Sequence, residues 1–143
     1  MRWWHLEQVA DIEVHAFADE SAWSVEQLWA ELAGVPERRR YVVAADGDRV
    51  VGYAGIGLGP DTADVMTVAV RPGERGRGVG RRLVTALLDE AETAGLRTVL
   101  LEVRATNAAA IALYSDLGFV TISRRPGYYG PGRDGVIMRR RAQ

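Results

Sequence analysis

The sequence predicts one mixed α/β domain over residues 1–143. Three observations predict it. A chain of 143 residues is long enough for a single core and too short for two comfortable ones. Its apolar pattern alternates between strand and helix periods along its length, with no repeat, low-complexity segment or linker. Between two apolar runs sits Asp46-Gly47-Asp48, a tight-turn signal that predicts a hairpin.

The elements follow in order. Arg2 to Trp4 can form a short first strand. His5 to Phe17 reads as a helix, because Leu6, Val9, Ile12 and Val14 or Ala16 recur near helical spacing. Ser24 is an N-cap with Gln27 at the capping-box position, so a second helix runs through Leu28, Trp29 and Leu32 and stops by Gly34 and Pro36. Tyr41 to Ala45 and Val50 to Ile56 are the hairpin strands. Thr62 to Val70 is a further strand, bounded by Gly59-Pro60 and Pro72-Gly73. From Gly80 the period changes: Leu83, Val84, Leu87, Leu88 and Ala91 make one stripe of an amphipathic helix that ends at Gly95. Thr98 to Val103 is apolar on both alternating faces and reads as a covered interior strand. An Ala-rich helix from Asn107 to Leu117 is closed by Gly118. Phe119 to Arg124 and Val136 to Arg140 are the last strands, flanking a Gly- and Pro-rich loop, RPGYYGPGRDG.

Composition removes whole classes of chemistry. There is no cysteine, so disulfides, thiolate catalysis and Cys-ligated zinc are excluded. There is no lysine either; all 18 basic residues are arginine, which excludes Schiff-base chemistry and a Walker loop. His5 and His15 are isolated near the N-terminus, so no metal site is expected and both read as packing or surface residues. No apolar run approaches the roughly 20 residues of a membrane helix, and the N-terminus turns acidic at once. The expectation is a cytoplasmic protein with no membrane association. The formal net charge of −1 conceals an asymmetry: residues 1–71 carry 12 acids and 6 arginines, and residues 72–143 carry 7 acids and 12 arginines. The C-terminal half suits an anionic ligand and the N-terminal half a cation. Mixed surface charge that is merely uneven reads the same way.

The most informative segment is VAVRPGERGRGVGRRLVTALLDEA. A strand ends at Val70, a glycine-rich turn covers Arg75 to Gly80, and a long helix begins. Main-chain amides in such a turn, with the helix start, make an anion site. Gly76, Gly78 and Gly80 permit close backbone approach, and Arg75, Arg77, Arg81 and Arg82 add long-range attraction. The turn lies mid-chain rather than in a first β-α unit, which argues against a dinucleotide fold.

The pattern R-x-x-G-x-G at Arg75, Gly78 and Gly80 resembles the acyl-CoA pyrophosphate loop of the GNAT N-acetyltransferase superfamily, and the element order resembles it over nearly the whole chain. The segment LLEVRATNAAAIALYSDLGF, the Tyr-Tyr loop, Phe17 and Trp23-Ser24 are similar to the RimI-type ribosomal-protein alanine N-acetyltransferases. The resemblance implies a central mixed, largely antiparallel sheet flanked by helices, with acetyl-CoA as cosubstrate and no metal. It implies cofactor contacts from Val68, Ala69, Val70, Arg75, Gly76, Arg77, Gly78, Val79, Gly80, Arg81 and Asn107. An amide on the strand from Thr67 to Val70 would polarise the thioester carbonyl. Glu102 resembles the general base of these enzymes and Tyr114 the acid that protonates the departing thiolate. Tyr128 and Tyr129 resemble the tyrosines that overhang the peptide site.

Each of these residues also has a plainer reading. Asn107 serves equally as a helix N-cap. Tyr114, seven residues on and on the same helix face, serves equally as a core aromatic. Glu102 interrupts an apolar strand; it is either a desolvated base of raised pKa or one half of an ion pair with Arg104. Tyr128 and Tyr129 also fit as loop aromatics closing a turn. The reaction implied is direct transfer to an amine, since no residue is placed to form an acyl-enzyme. An α-amino group, with a pKa of about 7.7–8.0, suits a carboxylate base better than a lysine at about 10.4. The implied partner is a protein N-terminus, that of a ribosomal small-subunit protein, without direct nucleic-acid binding; the terminal arginines 139–141 are expected to be solvated. The alternatives are transfer to a small-molecule amine and a non-catalytic acyl-CoA binding module.

Overall fold

The computed structural model describes residues 5–16, 38–127 and 130–142. The expected first strand, the second helix, Phe17, Trp23-Ser24, Tyr128 and Tyr129 lie outside the described residues. Helix α1 spans Leu6–Ala16, followed by β1 (Arg39–Asp46), β2 (Arg49–Leu58) and β3 (Thr62–Val70). A single 3-10 turn at Pro72–Glu74 leads into α2 (Val79–Thr93). Then come β4 (Thr98–Arg104), α3 (Ala108–Asp116), β5 (Val120–Arg125) and β6 (Gly135–Arg141).

The six strands form one sheet in the order β1-β2-β3-β4-β6-β5. The β1–β2 hairpin closes through the Asp46↔Arg49 pair, and Gly47 takes the positive φ of 62° that its turn needs. All the pairs are antiparallel except β3–β4, which is parallel. That parallel ladder holds only three residues, Thr62↔Thr98, Ala63↔Val99 and Asp64↔Leu100. Beyond it β3 stays on β2 and β4 stays on β6, so the two strands part. At the parting point β3 carries a bulge: Gly55 pairs with Thr67 but Ile56 pairs with Val65, leaving Met66 as the extra residue. A bulge bends a strand and increases its twist, which steers β3 away from β4.

Each face of the sheet has its own core. On one face Leu83, Val84, Leu87 and Ala91 of α2 bury against Ala54 and Ile56 of β2 and Val99, Leu101 and Val103 of β4. This is the stripe expected from the sequence. On the other face Leu6, Val9 and Ile12 of α1 pack on Tyr41, Val50, Tyr53 and Ala69. Beta-strand alternation assigns the remaining residues. Because Val99, Leu101 and Val103 enter the α2 core, Leu100 and Glu102 face the α1 side. Among the described residues, β4 is fully packed on one face rather than on both as its apolar run suggests: Leu100 is half-buried and Glu102 exposed. The C-terminal arginines are also less solvated than expected. Arg140 Nε donates to the Leu117 carbonyl at 2.8 Å, joining β6 to the end of α3.

The α1 face depends on Gly55. A Cβ there would stand 2.3 Å from the Tyr41 ring, which is buried across the strand pair. Gly55→Ala is expected to lower stability by about 1–3 kcal/mol, the usual cost of overpacking. It would be read as a lower urea midpoint at unchanged slope. Adding Tyr41→Leu to the same chain should recover part of the loss.

Candidate active site

The parting of β3 and β4 opens a cleft of about 1430 Å³. Its walls come from both faces of the sheet. Val68, Val70, Leu101 and Val103 belong to the α2 side, and Asp64, Thr67 and Glu102 to the α1 side. The cleft is thus a slot running through the sheet, and its inner strand edges carry main-chain N–H and C=O groups with no neighbouring strand among the described residues. Such groups require partners.

At one end of the slot lies the glycine turn. Gly76 and Gly78 have φ of 81° and 78°, a region L side chains rarely adopt, and a Cβ at either would meet nothing within 4 Å. Glycine is needed here for backbone conformation rather than for room. Gly78 is the N-cap of α2 and offers no side-chain acceptor, and the first turn of α2 holds no acid. Its leading N–H groups are left for an anion, with the helix dipole behind them. Arg71 anchors the approach to this turn: its Nε donates to the Val50 carbonyl at 2.7 Å and its Nη1 pairs with Asp11 of α1 at 2.6 Å.

All the expected cofactor contacts border the slot except Arg77. The Arg77 side chain pairs with Glu74 at 3.5 Å and lines a separate groove beside β1, shared with Arg82. Arg81 borders the slot, but its guanidinium is held by Asp116 at 2.6 Å, bracing the start of α2 against the end of α3. Among the described residues, Arg75 is the slot-lining arginine of this turn with no carboxylate partner. Of the four arginines read as long-range attraction, two, Arg77 and Arg81, are held in internal ion pairs.

Asn107 and Tyr114 line the α2 side of the slot from α3. The Asn107 Oδ1 accepts from Ala110 N at 3.1 Å, so the capping role is real, and the side-chain NH2 group is left over for another partner. Tyr114 is 8% exposed and packs edge-on against Phe119, ring centroids 5.7 Å apart. It is a core aromatic whose side chain also borders the slot.

Glu102 requires a correction. The apolar strand suggested a desolvated carboxylate, but strand alternation turns Glu102 to the α1 side, where its side chain keeps 29% exposure. It is not desolvated there. The ion pair it forms is with Arg125 Nη1 of β5 at 3.5 Å, not with Arg104. Asp64 and Arg125, both lining the slot, were missed by sequence reasoning. Asp64 belongs to no motif, and Arg125 reaches Glu102 only through the β4-β6-β5 order, which no local pattern encodes.

The chain matches the acetyltransferase (GNAT) family over residues 3–119. It is 40% identical over 139 residues to the N-alpha-acetyltransferase RimI of Mycobacterium tuberculosis, covering 94% of this chain and 85% of that protein. It is 44% identical over 143 residues to an uncharacterized protein of Mycobacterium leprae, covering 96% of this chain but only 38% of that longer protein. Among solved structures, it superposes on the ribosomal-protein-S18-alanine N-acetyltransferase from Escherichia coli with a TM-score of 0.87 at 32% identity, covering 100% of this chain and 91% of that one.

The loop that follows β5 is tied down by Asp134. Its carboxylate accepts from Gly127 N at 3.0 Å and from Arg124 Nε at 2.9 Å, and its carbonyl accepts from Ala105 N at 2.9 Å. The Gly127 hydrogen bond first, and Arg124 second, hold its carboxyl below the usual carboxylate range. A lowered native pKa gives a contribution that is complete above the unfolded value of about 3.9 and is lost as pH falls through the native one. Protection of the Gly127 amide from exchange should persist through the pH at which a free aspartate is half protonated and be lost only at lower pH. Asp134→Asn should weaken it already at neutral pH.

Proposed function

The chain belongs to the acetyltransferase (GNAT) family, whose cosubstrate is acetyl-CoA, and on that premise we propose that it transfers acetyl to the α-amino group of a protein N-terminus. The proposed acceptor is the N-terminal alanine of a small-subunit ribosomal protein, by analogy with the enzymes named for that reaction. The observation that carries the reading is the slot, which has an anion-ready turn at one end and carboxylate and phenol groups from opposite faces of the sheet.

In this reading the diphosphate of acetyl-CoA is held by the main-chain amides of Gly76 to Gly80, aided by Arg75. The pantetheine arm lies between the parted strands, supported by Asn107, and its amides pair with the open edge of β3 at Val68, Ala69 and Val70. The acceptor enters from the α1 side. Glu102, directly or through a water, removes a proton from the ammonium, and the amine nitrogen attacks the thioester carbonyl. An N–H of β3 stabilises charge on the carbonyl oxygen. The C–S bond breaks as the N–C bond forms, Tyr114 gives its proton to the departing thiolate, and the second proton lost by the nitrogen returns through water to the phenolate. A solvent-reached Glu102 is sufficient for an α-amine, whose pKa is about 7.7–8.0. Tyr128 and Tyr129 are assigned to acceptor binding by resemblance to the family's paired tyrosines.

The test offers acetyl-CoA and a peptide library varied at the first residue to the full chain, with products read by mass spectrometry. Acetylation at the α-amine of Ala-starting peptides is expected; products confined to small amines would overturn the reading. Glu102→Gln and Tyr114→Phe should each lower kcat by about 100-fold or more while acetyl-CoA still binds. Gly78→Val should instead weaken acetyl-CoA binding, since valine resists the left-handed conformation.

A further inference from the structure

We propose that Asp64 is a positioning residue for the acceptor, bracketing the incoming ammonium together with Glu102 on the α1 side of the slot. This rests on the acetyl-transfer reading above. Ala63 and Val65 face the α2 core, so the intervening Asp64 faces the same side as Glu102. It is exposed, lines the slot and belongs to the last β3–β4 pair before the strands part. Its pairing partner is Leu100, and Glu102 is two residues further along β4. Strand spacing and rise put the Asp64 and Glu102 Cα atoms at least about 8 Å apart, since the strands diverge beyond this pair. Their side chains project from the same face, across a distance that one primary ammonium can span.

Aspartate is depleted in strands, and this one stands inside a nine-residue strand rather than at a turn. It has no hydrogen-bond or ion-pair partner among the described residues, whereas Asp11, Asp116 and Asp134 each hold an arginine. Two guanidiniums lie nearby. Arg125 pairs with Glu102, and Arg39 lies over Gly57 in the row of Asp64, 3.3 Å from where a Gly57 Cβ would stand. They offset the two carboxylates, so the bracket selects by geometry as well as charge. A primary ammonium offers three donors, enough to reach both carboxylates. An α-amine is mostly cationic at neutral pH and must be captured in that form before it reacts. Asp64 keeps one N–H bond while Glu102 takes one proton, and the nitrogen stays aimed at the carbonyl.

The experiment is steady-state kinetics of the full chain on an Ala-starting peptide, comparing wild type, Asp64→Asn and Asp64→Glu at low and high salt. Asp64→Asn should raise the peptide KM roughly five- to tenfold, the size of one partly screened ion pair. Its kcat should change far less, acetyl-CoA affinity should hold, and the salt dependence of KM should flatten. Asp64→Glu should restore most of the affinity. Turnover by the wild type with an unaltered peptide KM in Asp64→Asn overturns this inference alone. No wild-type turnover on any peptide overturns the transfer reading and this inference with it.

Discussion

The structure depends on a parallel strand pair that is deliberately short. Three residues of β3 and β4 pair, and then each strand follows its other neighbour, β3 along β2 and β4 along β6. The Met66 bulge supplies the bend, and the hydrophobic packing of α2 and α3 on one face holds the separation. A sheet with all its ladders complete would be sealed. Parting one ladder leaves hydrogen-bonding edges inside a walled slot, where an extended amide-bearing ligand can act as the missing strand.

The electrostatics follow from where the arginines are committed. Arg71, Arg77, Arg81, Arg124 and Arg125 each meet a carboxylate, and most of these pairs join segments far apart in sequence. Exposed pairs of this kind add little stability one at a time. Here they set positions: the entry to the glycine turn, the spacing of α2 against α3, and the root of the loop after β5. Attraction for an anion then falls mainly to oriented backbone dipoles, which are fixed by the fold and do not have to be recruited from solvent.

Much of this was legible in the sequence, for identifiable reasons. The Asp46-Gly47-Asp48 turn and the Leu83-Val84-Leu87-Ala91 stripe are local signals, and both appear where the pattern put them. The glycine turn was legible because φ of about 80° at Gly76 and Gly78 can be met cheaply by only one residue type. Glu102 was placed on the right strand but with the wrong burial. Its apolar neighbours say that β4 is buried, and only the sheet order and the reach of α1 say which face is not. The orientation of Arg77, the Arg125 partner of Glu102 and the position of Asp64 all depend on tertiary register. Register is non-local, so no window of sequence could have supplied it.

The three-residue ladder also has a mechanical meaning. It divides the sheet into two leaves, β1-β2-β3 and β4-β6-β5, clipped together at one end like a clothes-peg. The turn that faces an anion belongs to the first leaf, and Glu102 to the second. Whatever lies between the leaves touches both and replaces hydrogen bonds that the peg itself lacks. A ligand bound there would therefore be a structural crosspiece as well as a reagent, and its binding is expected to stiffen the sheet.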